Sequence, residues 1–232
     1  MTKRFTYVIE HMEEDEPDSA PSSLPQWVLL EYKHMLSFAG EGSTVIFNHL
    51  SRSSCSALDS ALSEGINAQT KVSDYPSRKS VASHQSSSLT LEELMKSHNI
   101  GKERICLLDP KSPIELSPND GDGIFDWFLF GGILGDDPPR DRTGELRTMG
   151  FPTRHLGPVQ MTTDTALGVT KMVVKDDVPL NSIPYIDRPT IQFSSNESVE
   201  MPFRYICKDG QPVLPDGMKR HLYEDLNRGF DD

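Results

Sequence analysis

Two stretches of this sequence carry residue types able to hold a ligand. The first follows the apolar run DWFLF at 126–130 and reads GGILGDDPPRDRTGELR over 131–147. Its glycines let the backbone approach a bound molecule and expose N–H and C=O groups to it, and they equally suit a tight structural turn. A phosphate-binding P-loop is excluded, because no Gly-Lys-Ser/Thr follows, and the spacing is not the Gly-x-Gly-x-x-Gly of a dinucleotide fingerprint. The second stretch, PTRHLGPVQMTTDTA at 152–166, passes from a short extended piece through Gly157-Pro158 into a helix capped by Thr162 or Thr163. Free N–H groups at that helix mouth, with Gln160 and Thr163, could take the polar edges of a purine or ribose. Leu156 and Met161 could line its faces. A capped helix with a polar turn fits the same letters, and pattern alone leaves both readings open.

Elements able to present these stretches at the ends of strands are legible around them. Residues 5–12 (FTYVIEHM) read as a first strand, followed by an acidic, Pro-containing turn over 13–25. Within 26–39, Trp27, Leu30, His34 and Phe38 recur at helical spacing, and Gly40 supplies a stop. Residues 44–50 (TVIFNHL) form a second strand, which completes a β-α-β unit. Over 51–88 serines abound and large apolar residues are scarce, so at least the second half, ending in SHQSSS at 83–88, is expected to be a mobile surface insertion. Thr90 with Glu93 three residues on is a capping box for a helix to about Ser97. RICLL at 104–108 and DWFLF at 126–130 are the third and fourth strands, the latter apolar enough to be buried on both faces of a parallel sheet. DGDG at 120–123 lacks the later ligands of a calcium loop and reads as a turn. Ala166, Val169 and Val173 share a helix face, and a further strand is expected at 203–207 before a short polar terminal helix.

At 232 residues, 36% hydrophobic and 25% charged, the composition is that of one soluble α/β domain. The net charge of −12 argues against a broad basic face for nucleic acid and suits a cationic partner. Cys55, Cys106 and Cys207 are too far apart for a zinc or redox motif and are expected as reduced thiols. No long apolar run opens the chain, so neither a signal peptide nor a membrane span is expected. No metal is implied.

The strings DWFLFGGILGDDPPRDRT, GFPTRHLGPVQMTTDTA with the helix after it, and ESVEMPFRY together resemble the SPOUT-type methyltransferases. That family includes a fungal protein arginine methyltransferase acting on a small-subunit ribosomal protein, and relatives assigned to RNA modification. The match is dense over most of 125–215 and follows element order in the N-terminal half. The resemblance implies an α/β fold with a central parallel sheet, helices on both faces and a deep trefoil knot formed by the C-terminal half. It implies a single domain over 1–232, with the Ser-rich insertion at about 63–88 and an extension at about 181–232. It further implies S-adenosylmethionine, bound in a bent form by the knot loops. The positions carried over are Phe130, Gly131, Gly132, Ile133, Gly135 and Asp136 in the first loop, and Arg154, His155, Leu156, Gly157, Gln160, Met161, Thr162 and Thr163 in the second. The Ser-rich stretch matches no feature of the family.

An arginine acceptor sets its own requirement. The guanidinium is cationic, with a pKa above ~12, so carboxylates must grip it as a fork, aim one nitrogen and offset the positive charge meeting in the site. Asp136, Asp137, Asp141 and Glu145 are the catalytic candidates around the first loop. Asp109, Glu197 and Glu200 are the substrate-binding candidates from neighbouring segments. Arg140, Arg142, Arg147 and Arg154 argue the other way, since they could neutralise these acids or bind phosphates. His155 is too weak a base to deprotonate a guanidinium beforehand and suits loop orientation instead. The acidic balance favours a basic ribosomal protein as substrate over the alternative, an RNA methyltransferase acting on rRNA or tRNA; a cofactor-binding assembly factor is the non-enzymatic reading. The expected state is a cytoplasmic monomer, its C-terminal tail covering the face on which related proteins dimerise.

Overall fold

Period-two alternation in four short strands builds two cores at once. In the computed structural model, which describes residues 3–11, 24–69, 81–132 and 142–228, β1 (Thr6–Glu10), β2 (Thr44–Asn48), β4 (Ile105–Leu108) and β5 (Trp127–Gly131) are almost wholly buried. Tyr7, Ile9, Val45, Phe47, Cys106, Leu108, Phe128 and Phe130 point to one face. Val8, Ile46, Ile105, Leu107, Trp127 and Leu129 point to the other. A strand apolar at every position has to be covered on both sides, which is why helices flank both faces.

With β3 (Ser83–Ser86) and β6 (Thr153–Arg154), these strands form a six-stranded sheet in the order β3-β2-β1-β5-β4-β6, and every pairing is parallel. The first face carries α1 (Gln26–Ala39) and α5 (Thr163–Val174), the pair of helices most closely packed on each other, together with α2 (Arg52–Gln69) through Leu58 and Leu62. On the second face lie α3 (Leu91–Ser97), through Leu91, Leu94 and Met95, and α4 (Arg142–Thr148), through Leu146. Thr90 and Glu93 form the capping box their spacing implies.

One expectation is corrected. Of the stretch expected as a surface insertion, about 63–88, the part to Gln69 belongs to α2, and Ser83–Ser86 is the edge strand of the sheet. An edge strand needs only one backbone partner, and its serines bond locally instead of packing. Ser83 Oγ lies 2.9 Å from Thr44 Oγ1, and Ser86 donates to Asp59 (2.8 Å). Serine density therefore hid a strand; residues 70–80 lie outside the described residues. In α1 the buried stripe is Val28, Glu31, Tyr32, Met35, Leu36 and Ala39. Trp27, Leu30, His34 and Phe38 flank it, partly covered, because α1 is sandwiched between the sheet and α5.

The last stretch continues into this core. β7 (Tyr185–Asp187), β10 (Arg204–Lys208) and β11 (Gln211–Pro212) make a small antiparallel sheet, and β8 (Thr190–Gln192) with β9 (Ser198–Glu200) make a hairpin. Ile183 and Ile206 are buried in the first core, and α6 (Met218–Arg228) packs on α1. All three cysteines are free thiols, and burial pushes that of Cys106 up to about 12.

Candidate active site

Parallel strands leave their C-terminal ends on one edge of the sheet, where open α/β folds place ligands. Here β1 delivers Glu10 and His11 to that edge and β5 delivers Gly131 and Gly132, with Glu10 and Gly131 in register. The Gly132 N–H donates to the Glu10 carbonyl (2.6 Å). A Cβ at Gly132 would stand 2.6 Å from that oxygen and 2.8 Å from the Cα of His11, so only glycine lets the first loop leave the sheet here. Phe130 turns its ring into the core and offers a ligand only its backbone. Ile133, Gly135, Asp136, Asp137 and Asp141 lie outside the described residues. Glu145 sits half-buried on α4.

The second loop is anchored at both ends. At its start, Arg154 reaches the buried Asp120 with Nε at 2.9 Å and its terminal nitrogen at 2.8 Å, and stacks over Phe125. Its guanidinium is thereby committed to the protein, so Arg154 serves the loop by holding it. His155 bridges to Glu115 through its backbone, and its Nδ1 accepts the Gly157 N–H (3.0 Å), which is a loop-orienting role. Gly157 adopts φ +92°, with nothing within 4 Å of where a Cβ would be, and so opens space at the turn. At the far end the Gln160 carbonyl accepts the Arg204 N–H (2.9 Å), tying the loop to β10. Leu156 and Met161 pack against the first core. Thr162 is the N-cap of α5, followed by Thr163. The Thr162 hydroxyl turns to Thr165 (2.8 Å) and makes no cap bond to the first-turn amides. A cleft of about 440 Å³, lined by Val159, Gln160, Asp187, Arg188, Pro202 and Phe203, opens where the loop meets the C-terminal strands.

The three acids expected at substrate are held otherwise. Asp109, buried at the end of β4, takes a two-pronged grip from Arg147 (2.5 and 2.7 Å) and the Lys111 N–H (2.9 Å). Burial, the largest single influence, opposes its ionisation, but the Arg147 fork together with the N–H and charge of Lys111 outweighs it and holds the carboxyl below its ordinary value. It is a structural tie between β4 and α4, not a free hand for an arginine. Glu197 accepts from Ser194 (2.9 Å) in the β8–β9 turn, and Glu200 is exposed on β9; neither lines the cleft.

The Asp109 tie carries a pH signature. Arg147→Met is expected to cost about 3–5 kcal/mol at neutral pH, since it strands a buried carboxylate. A carboxyl whose folded pKa is depressed stabilises fully above its unfolded value, 3.8, and loses that contribution as the pH falls through the folded one. The gap between wild type and variant should therefore narrow on acidification, as wild type loses the fork and the variant protonates Asp109. Denaturant unfolding at stepped pH checks this.

Sequence patterning missed a second group of polar residues on the sheet face toward α5. Tyr32 places its hydroxyl 2.5 Å from Nε2 of His11, and His34 sets Nδ1 2.7 Å from Oδ2 of Asp164 in the first turn of α5. Glu31 is 7% and Asp164 1% exposed, and one oxygen of each, Oε2 and Oδ1, has no hydrogen-bond partner among the described residues. The available signal was Glu31 itself, a carboxylate at i+3 of Val28 and i−4 of Met35 on the apolar stripe of a helix.

A family model described as "Protein arginine N-methyltransferase SFM1-like" matches residues 6–229. The protein arginine N-methyltransferase SFM1 of Saccharomyces cerevisiae is 39% identical over 235 residues, covering 97% of this chain and 98% of the yeast protein. Crystal structures of the yeast arginine methyltransferase SFM1 superpose on this chain. The complex with S-adenosylmethionine does so at TM-score 0.72 and 34% identity, over 97% of this chain and 92% of that one. The complex with S-adenosylhomocysteine does so at TM-score 0.70 and 35% identity, over 94% of each chain. A match running through β1, both loops and α6 leaves no element of the site outside the shared fold, and the chain belongs to the SFM1-like family of protein arginine N-methyltransferases.

Proposed function

We propose that this protein transfers a methyl group from S-adenosylmethionine to an arginine of a small-subunit ribosomal protein. The observation that carries the reading is the convergence of the Gly131–Gly132 exit, the turn through Gly157 and the mouth of α5 on the C-terminal edge of the sheet, in a chain of this family.

The residues fit the cofactor. Gly157 leaves room at the turn, the first-turn amides of α5 have no side-chain cap, and Leu156 and Met161 give apolar surface between polar backbone edges. Phe130, Gly131, Gly132, Ile133, Gly135, Asp136, Arg154, His155, Leu156, Gly157, Gln160, Met161, Thr162 and Thr163 would hold it, Arg154 and His155 by shaping the loop. When bound there, the cofactor supplies a methyl group made electrophilic by a sulfonium. The chain supplies geometry and negative charge: carboxylates beside the acceptor orient one guanidinium nitrogen and receive the proton it gives up. Asp136, Asp137, Asp141 and Glu145 are assigned that work around the first loop.

The net charge of −12 supports a basic protein as the partner over a phosphate backbone. The C-terminal half threads a deep trefoil knot through the two loops in this reading, and the chain acts as a cytoplasmic monomer. No helix among the described residues is long and apolar enough to cross a membrane. Mass spectrometry of small-subunit ribosomal proteins from cells with and without the protein tests the substrate. One arginine-containing peptide should be a methyl group lighter without it. Identical protein masses with a methyl lost from ribosomal RNA would overturn the reading.

A further inference from the structure

Glu31 and Asp164 stand out because the fold leaves them incomplete. Polar atoms buried in native proteins are overwhelmingly paired, yet Glu31 Oε2 and Asp164 Oδ1 are closed to solvent with no partner among the described residues. Three elements frame them. Glu31 and His34 come from α1 and Asp164 from α5. Tyr205 comes from β10, and the charges of both acids help to hold its phenol protonated, after burial. His34 occupies the other oxygen of Asp164 (2.7 Å) and fixes which one remains open.

Their height in the fold follows from the helix packing. His34 meets Asp164, Phe38 lies against Gly168 one turn on, and Lys175 reaches the carbonyls of Ala39 (3.3 Å) and Glu41 (2.9 Å). The two helices therefore run parallel, and Glu31, one turn before His34, stands level with the loop that enters α5. That loop is bridged to β10 at Arg204, beside Tyr205, and the same junction forms the wall of the 440 Å³ cleft at Gln160 and Phe203.

We propose that Glu31 and Asp164 form the seat of a cation, the guanidinium of the acceptor arginine. This rests on the function proposed above and adds the residues that would grip the substrate. Two carboxylate oxygens from different helices suit a planar fork with several N–H donors, and a site shut off from water strengthens the grip. Burial, then the charge of Asp164, pushes the Glu31 carboxyl up to about 9. The pair thus holds a proton in place of its cation when no substrate is bound.

The test is Glu31→Gln and Asp164→Asn in the full chain, with small-subunit ribosomal proteins freed of RNA as acceptors. Each variant should lose about 100-fold or more in kcat/KM. Calorimetric affinity for S-adenosylhomocysteine should change less than about threefold, because the pair is assigned to the acceptor and not to the cofactor. Acetyl-arginine amide should raise the melting temperature of the wild-type S-adenosylhomocysteine complex and leave that of the Glu31→Gln complex unmoved. Misfolding is separated by melting the variants alone. Glu31→Gln should gain stability relative to wild type as the pH rises from about 4.5 to about 9, since the charging cost of Glu31 accumulates over that window. Retained kcat/KM within threefold, or parallel loss of S-adenosylhomocysteine affinity, overturns the assignment while leaving the function standing. A wild-type protein that methylates no arginine in that pool overturns the function and this inference with it.

Discussion

Asp120→Ala is expected to lower the unfolding free energy by about 3–5 kcal/mol, more than any exposed substitution in the same loop. Asp120 is 3% exposed, and both its oxygens are used. One takes Arg154, and the other takes the Ser117 N–H (2.9 Å) and hydroxyl (3.2 Å). Alanine removes the charge and leaves a largely buried guanidinium over Phe125 with no counter-ion. That uncompensated charge, not the lost attraction, sets the size of the effect. The paired change Asp120→Leu with Arg154→Met should recover most of the loss, because it removes both charges and keeps the volume. Urea unfolding of wild type and the two variants measures this; a loss below about 1 kcal/mol for Asp120→Ala would show that the pair is not the anchor of the second loop.

Gly132→Ala should cost the site more than the fold. The added methyl meets the Glu10 carbonyl and the His11 Cα, backbone atoms at and just past the end of the central strand β1, so the neighbour cannot give way. The exit of β5 must move instead, at about 1–3 kcal/mol of overpacking. Because that exit aims the first loop, S-adenosylhomocysteine affinity should fall about 10-fold to 100-fold, a displacement of an ångström being enough for losses of this order. Gly210→Ala is the companion measurement: Gly210 is constrained by its positive φ (+75°) and not by contact, has open space around it, and lies in the β10–β11 turn. It should cost stability without touching affinity. Equal effects from the two would detach Gly132 from the cofactor site.

The parts of the fold that patterning resolves are those where one residue's neighbours in sequence decide its state. DWFLF, TVIFN and RICLL are apolar at nearly every position, and the helix over Gln26–Ala39 has its stop at Gly40, whose N–H bonds the Leu36 carbonyl. Ser83–Ser86 escaped because an edge strand is made by its partner's backbone, and nothing in SHQS announces β2. The short strands β7, β8 and β9 escaped for the same reason.

The site divides along a similar line. Gly132 and Gly157 mark their backbone needs in the sequence. The fates of acids do not appear there, because they depend on which cation the fold brings alongside. Asp109 and Asp120 look like any strand-end or turn aspartate, and each is consumed by an arginine more than thirty residues away. Glu31 lies on the apolar stripe of its helix and Asp164 in the first turn of its own, and the packing of α1 on α5 encloses both, with no lysine or arginine paired to either among the described residues. Carboxyls able to exchange a proton for a cation are what an arginine-modifying site requires, and only the tertiary structure distinguishes them from acids already held by an arginine.

Purified protein incubated with small ribosomal subunits and methyl-labelled S-adenosylmethionine tests the central claim most directly. After separation of RNA from protein and acid hydrolysis of the protein, the account predicts that the label is recovered as methylarginine. Label recovered in the RNA, with none in arginine, would contradict it.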